Sequence, residues 1–214
     1  SQWACNQWLY KKLPLAKIYE VSFVGSRHGN RGKIVQEIQR AGVKVECWGS
    51  GWPNGRVSQE KMIEIFSQSK ICLNFTKNSG ILWKELAYIF VRRRMHDRKI
   101  VWNTPSRIAD TIKAFPAAMW NNQIKGRNFE IPGCGSFCLT EYADDLENYY
   151  EIGEEIECFF TVKEAPEKIR YYLSHEEARE AIAKAGYERT LREHTYEKRF
   201  QEIFHRMGLG PKIV

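Results

Sequence analysis

Val21-Ser22-Phe23-Val24-Gly25-Ser26 is a short apolar run that ends in glycine. A polar loop separates it from Gly32–Ala41, where Ile34, Val35 and Ile38 fall on one helical face. This is a strand, a loop and an amphipathic helix. The order then repeats: Val43–Trp48 reads as a strand, Gly49–Gly55 as a Gly/Pro/Asn loop, and Ser58 as the cap of a helix running to Lys70. Ile71–Phe75 is a third buried strand. Strands that alternate with helices pair in parallel through right-handed crossovers, so the chain is expected to form an α/β fold with a doubly wound, mostly parallel sheet.

Toward the C-terminus, Asn121–Ile131 reads as a helix start, Ser136–Thr140 as a strand, Ala143–Tyr150 as helical and Cys158–Val162 as the last strand. Three helical stretches, Ala165–Leu173, His175–Glu193 and Thr195–Met207, form a tail, with Ile169, Leu173, Ile182, Leu191, Phe200 and Phe204 as its expected buried positions. Residues 80–120 read as a helical insertion. There an apolar stripe of Leu82, Leu86, Ile89 and Phe90 leads to Arg92, Arg93, Arg94 and His96, cations that suit a helix C-terminus. Ile100–Asn103 reads as a strand and Pro105–Met119 as another helix. The stripe either packs on its own domain with a solvated basic end or, across residues 82–96, meets an anionic membrane surface or a partner domain.

With 214 residues the chain is long enough for one domain with appendages. Hydrophobic residues at 43% with 13% aromatics exclude a disordered chain, and no apolar run approaches the roughly 20 residues a membrane span needs. Ser1–Trp8 lacks the basic, apolar, small order of a signal peptide, so a cytoplasmic location is expected, with any membrane contact peripheral at the inner face. The missing initial methionine reads as a cut or processed chain. Four of the six cysteines (Cys5, Cys47, Cys72, Cys134, Cys138 and Cys158) lie in or beside apolar runs, as buried reduced thiols do. Cys134 and Cys138 have no second pair at ligand spacing, so no metal is expected. The net charge of +7 fits phosphate-bearing ligands, anionic lipid or nucleic acid. Nucleic acid is not expected, because the basic residues are spread over many elements and no RNA- or DNA-binding module is recognisable.

Lys125-Gly-Arg-Asn-Phe-Glu-Ile-Pro-Gly-Cys-Gly135 carries the clearest ligand chemistry. Lys125 and Arg127 can face phosphate oxygens, Glu130 can accept from sugar hydroxyls, and Gly133 and Gly135 let backbone come close to a ligand. The same residues also read as an ordinary helix that ends at a glycine and enters a buried strand.

Together with Val21–Ser26 and Glu193-His-Thr-Tyr-Glu-Lys-Arg-Phe200, this motif resembles the C-terminal, donor-binding half of GT-B type glycosyltransferases. Within group 1 of these enzymes it is similar to the CgeB-like proteins, over about Val21–Phe204 apart from residues 80–120. The resemblance implies a Rossmann-like half of a GT-B fold. Residues 1–20 would connect from a missing N-terminal acceptor domain, residues 21–193 would bind the nucleotide-sugar, and residues 194–214 would form a crossover helix and tail. It implies transfer of a sugar from a UDP- or GDP-linked donor without a further cofactor, and a piece that is inactive alone.

Carried over by position, Glu130 takes the ribose hydroxyls, and Gly133, Cys134 and Gly135 form the small turn beside the diphosphate. The loop Gly25–Lys33 is similar to the glycine-and-basic loop that contacts diphosphate; Gly25 and Ser26 would contact it, and backbone amides at the helix start together with Arg27, Arg31 or Lys33 would neutralise it. Trp48, Gly49 and Trp52 stand where the family places the base. Related retaining enzymes carry a glutamate eight positions before Glu130, and here that residue is Asn122. The catalytic residue therefore stays unassigned, and a non-catalytic nucleotide or nucleotide-sugar binding module remains the alternative. Glu141 reads as a strand-end carboxylate facing solvent, and His28 as polar surface.

Overall fold

The structure is a computed structural model that describes residues 3–76, 86, 89–93, 99–109, 111–112 and 122–209. Its elements in chain order are β1 (Tyr19–Val24), α1 (Arg31–Arg40), β2 (Glu46–Trp48), α2 (Gln59–Ser67), β3 (Ser69–Asn74), β4 (Val91–Arg93) and β5 (Ile100–Trp102). There follow α3 (Arg127–Gly133), β6 (Cys138–Glu141), β7 (Glu157–Phe159), α4 (Glu164–Ser174), α5 (Glu176–Glu193) and α6 (Tyr196–Arg206).

Five strands form one sheet in the order β2-β1-β3-β6-β7, and every neighbouring pair is parallel. The doubly wound α/β sheet expected from the alternation is therefore present. Its strands are buried over most of their length because helices cover both faces, and the two-residue period then sorts the side chains. Val21, Phe23, Ile71, Leu73 and Leu139 enter one core with Ile34, Val35 and Ile38 of α1 and Ile169 of α4. Val24, Cys72, Cys138 and Cys158 enter the other with Met62 and Phe66 of α2 and Phe129 and Ile131 of α3. Ser58 caps α2, its Oγ accepting from the Lys61 N–H at 3.2 Å.

The N-terminal segment is more than a connection. The Cys5 N–H donates to the His194 carbonyl at 2.8 Å and the Tyr196 N–H donates to the Cys5 carbonyl at 3.0 Å, a one-residue parallel bridge to Thr195. This puts Cys5 and Tyr10, at 0% and 6% exposed, inside the second core.

Several local readings are corrected. Arg92 and Arg93, expected at a helix end, lie on β4, which pairs antiparallel with β5 through Arg92 opposite Val101. The β-branched residues Val91, Ile100 and Val101 favour that ladder over helix. Leu82, Arg94, His96 and residues 113–119 lie outside the described residues. Between Ala143 and Tyr150 only Leu146–Asn148 makes a 3₁₀ turn, and α3 begins at Arg127. Phe200 and Phe204 are 52% and 47% exposed rather than buried. Their rings stack on each other at 6.1 Å along α6, and Tyr196 continues the ladder at 6.3 Å from Phe200. Leu173 and Leu191 are only half-buried. Among the described residues, no helix is long and apolar enough to cross a membrane.

Candidate functional site: a cation-lined crevice at the carboxyl edge of the sheet

Parallel strands deliver their loops to one edge, and there β1 and β3 end beside the start of α3. A crevice of about 330 Å³ opens between them, lined by Gly25, Ser26, Arg31, Asn74, Lys125, Gly126, Arg127 and Glu130, with Trp3 at its side. An adjoining space of about 380 Å³ shares Gly25, Ser26 and Arg127 and adds Tyr10, Gly49, Ser50, Arg56 and Ser58.

The loop after β1 is held by backbone contacts. The Gly25 N–H donates to the Trp48 carbonyl at 2.8 Å, the Trp52 indole N–H donates to the Gly25 carbonyl at 2.9 Å, and the Arg27 N–H donates to the Ser50 carbonyl at 2.8 Å. Gly49 sits at φ +129°, where a Cβ would run into the Gly25 carbonyl oxygen. Only glycine lets the loops after β1 and β2 meet this closely.

Arg31 donates to the Ser26 and Phe75 carbonyls at 3.2 and 3.3 Å and lies 5.7 Å from the centre of the Phe23 ring, so its guanidinium is fixed across the ends of β1 and β3. Burial lowers its pKa, nearby Arg127 lowers it further, and Glu141 opposes both. Burial and the charge of Arg31 push the Lys125 ammonium down in turn. Burial first, then Arg31 and Lys125, also depress His28, which favours the neutral imidazole. Arg31 and Lys125 thus lie half-buried in one crevice, and an anion placed between them would favour the charged form of both. Arg127 pairs with the Glu130 carboxylate, with its guanidinium 5.8 Å from the centre of the Phe66 ring.

Gly25, Ser26, Arg31, Lys125, Arg127 and Glu130 are thus brought together, while other expected site residues are not. Arg27 turns outward over the Trp52 ring at 5.2 Å and lines a separate depression with Gln36 and Glu46. Gly133 and Gly135 leave room for the side chains of Cys5 and Lys12, and Cys134 between them is buried. The small residues there admit the chain's own N-terminal segment. Lys33 is exposed, Trp48 packs edge-on against Tyr19 at 5.0 Å, and the Trp52 indole serves Gly25. Glu141, read as facing solvent, is 2% exposed and accepts from the Thr76 N–H at 3.2 Å. The segment after β3 covers it, with the Thr76 hydroxyl donating to the Tyr142 carbonyl at 2.8 Å.

Asn74, Arg56, Tyr10 and Trp3 line the site and were not singled out from sequence. Asn74 gave a signal, a lone amide inside the apolar run Ile71–Phe75. Trp3 and Tyr10 gave none, because their place depends on a contact with residues nearly two hundred positions away.

The family model described as Glycosyl transferase-like matches residues 27–90 and 83–205. No curated protein matches the sequence. Among solved structures, sucrose-phosphate synthase from Thermosynechococcus elongatus superposes with a TM-score of 0.62 at 10% identity over 96% of this chain and 51% of that one. AviGT4, a glycosyltransferase involved in avilamycin A biosynthesis, gives 0.55 at 14% identity over 97% and 58%. The C-terminal domain of a glycosyl transferase group 1 family protein from Francisella tularensis gives 0.53 at 7% identity over 89% and 98%. At such identities the likeness is one of fold. The chain spans 51% of the synthase but nearly all of the isolated C-terminal domain.

Proposed function

Because this chain belongs to the glycosyl transferase-like family, we propose that it is the donor-binding half of a GT-B glycosyltransferase, CgeB-like in kind, that moves a sugar from a UDP- or GDP-linked donor to an acceptor held by an N-terminal domain. One observation carries the reading: Arg31, Lys125 and Arg127 converge with Glu130 on a single crevice at the carboxyl edge of the sheet. Here the diphosphate lies between the Gly25–Ser26 backbone and the Lys125–Arg127 turn. Glu130 accepts from the ribose hydroxyls, and the base extends toward Gly49, Ser50 and Arg56 in the adjoining space. As the sugar departs, charge builds on the nucleoside diphosphate, and cations already fixed in place stabilise it without reorganising. The exposed Phe200 and Phe204 of α6 offer an apolar face for the acceptor domain. A cytoplasmic protein with peripheral contact through residues 82–96 fits the exposed Phe90, 50% accessible, and anionic-vesicle sedimentation tests it.

Calorimetry with UDP, GDP and pyrophosphate tests the site. Glu130→Ala is expected to weaken nucleoside diphosphate by about 1–3 kcal/mol, while pyrophosphate, which makes no ribose contact and meets an Arg127 freed of its partner, binds no more weakly. Equal affinities in both proteins would remove the ribose assignment.

Asn122 favours a second reading. The residue eight before Glu130 carries no carboxylate, and its backbone pairs with Asp144, the Asn122 N–H donating to Oδ2 at 3.1 Å and its carbonyl accepting from the Asp144 N–H at 2.9 Å. A non-catalytic nucleotide-sugar binding module would look the same. Turnover of a UDP- or GDP-sugar by the full-length protein separates the two.

A further inference from the structure

We propose that Asn128 is a positioning residue: it anchors the turn Lys125–Arg127 to the ends of β3 and β6 and so holds mutually repelling cations in register for a diphosphate. The inference rests on the nucleotide-sugar reading of the crevice.

Asn128 is 0% exposed, at the second position of α3. The backbone N–H of Lys125 can only donate, and it points at Asn128 Oδ1 at 3.0 Å, which fixes the orientation of that amide. Its Nδ2 then donates to Thr140 Oγ1 at 3.2 Å on β6. Asn74, at the end of β3, must present its own Nδ2 to the same Oδ1 at 3.0 Å and reaches Thr140 Oγ1 at 3.0 Å as well. Thr140 accepts from both amides and keeps its proton for the Glu141 carbonyl at 3.0 Å. One backbone donor thus sets the polarity of the whole cluster.

The turn needs this anchor. Its helix is only seven residues long, contains Pro132, and receives no side-chain cap at Gly126. Arg31 and Lys125 line the same crevice, and after burial the charge of Arg31 further disfavours the Lys125 ammonium, so without an anion repulsion works against the turn rather than for it. Asn128 touches no ligand; it opposes that repulsion through the backbone of the residue that does.

The test compares wild type, Asn128→Ala and Tyr172→Phe, the last removing a buried hydroxyl that donates to Glu157 in a different part of the fold. Dissociation constants are measured for UDP or GDP, whichever binds tighter, for the matching nucleoside and for pyrophosphate. Asn128→Ala is expected to narrow the preference for diphosphate over nucleoside by about tenfold, with the nucleoside within twofold of wild type. Tyr172→Phe should keep the wild-type preference at whatever melting temperature it shows. Should Asn128→Ala not fold, Asn128→Ser, whose hydroxyl is too short to bridge Lys125 and Thr140 together, must show the same selective loss. An unchanged preference, or a parallel loss of nucleoside and diphosphate, overturns the positioning role and leaves the nucleotide reading standing. A wild-type protein that binds neither diphosphate nor pyrophosphate overturns both.

Discussion

At the scale of single residues, burial acts most clearly on His194. It is 4% exposed, faces the rings of Phe129, Tyr149 and Tyr150 at 5.6, 5.6 and 5.1 Å, and bonds the Tyr149 carbonyl through Nε2 at 2.5 Å. Burial depresses its pKa below the usual 6.5, the Tyr149 carbonyl opposes this, and Arg199 and Arg189 lower it further. The unfolded chain therefore takes up a proton more readily than the native one. The stability this site provides is complete above the unfolded pKa and is lost as pH falls from there toward the folded value. The melting temperature is expected to drop as pH falls from about 7 to about 5, and His194→Gln should flatten that drop. An identical slope in both proteins would place the sensitivity elsewhere. In the crevice the same physics runs through Lys125. Lys125→Gln should weaken diphosphate about tenfold in dilute buffer, and the difference should shrink in about 1 M salt because the lost attraction is one of screened charge. A salt-independent loss would mean that the side chain acts through packing.

At the scale of elements, what the sequence made legible was what short-range periodicity encodes. Ile34, Val35 and Ile38 mark the buried face of α1, and Ser58 marks the start of α2, because a helical repeat and a cap are local facts. Phe200 and Phe204 were equally legible as one face of a helix, but periodicity states only which face is apolar and never what covers it. Arg92 and Arg93 misled for a related reason: cations suit a helix end, yet the pairing of β4 with β5 depends on residues beyond the intervening chain. The loops on either side of β2 give a sharper case. Gly42 and Gly49 both have positive φ, +85° and +129°, but a Cβ at Gly42 meets nothing within 4 Å, whereas at Gly49 it meets the Gly25 backbone. Gly42→Ala is expected to cost about 1 kcal/mol from conformation alone, and Gly49→Ala clearly more because the loop after β1 must also move. Urea unfolding measures both, and equal losses would show that the two loops can separate without strain. Gly49→Ala should also weaken nucleoside diphosphate, since Gly25 and Gly49 both line the space adjoining the crevice.

At the scale of the whole molecule, the N-terminal segment decides how much of the fold stands by itself. Read locally, residues 1–20 are a link between domains, and nothing in their own pattern shows that Cys5 pairs with Thr195 or that Tyr10 enters the second core. That contact closes the sheet face on which Cys134 lies, while Cys47 belongs to the opposite core. All six cysteines are buried as free thiols, and burial pushes Cys5, Cys47 and Cys158 up to about 12 and Cys72 to about 11. Cys134 and Cys138 are raised as well. A thiol this reluctant to ionise and this enclosed does not react with iodoacetamide near pH 8 until the structure opens. Deleting residues 1–12 removes the side chains that Gly133 and Gly135 accommodate, and with Cys5 and Tyr10 it withdraws apolar burial worth about 3 kcal/mol or more. The full chain is expected to show six protected cysteines by mass labelling. The shortened chain should label first at Cys134 and keep Cys47 protected, because only one face of the sheet has lost its cover. Simultaneous labelling of both would mean that the strap supports the entire sheet. Continued protection of Cys134 would mean that the sheet closes without the strap, and that the glycines beside it serve something other than the N-terminal segment.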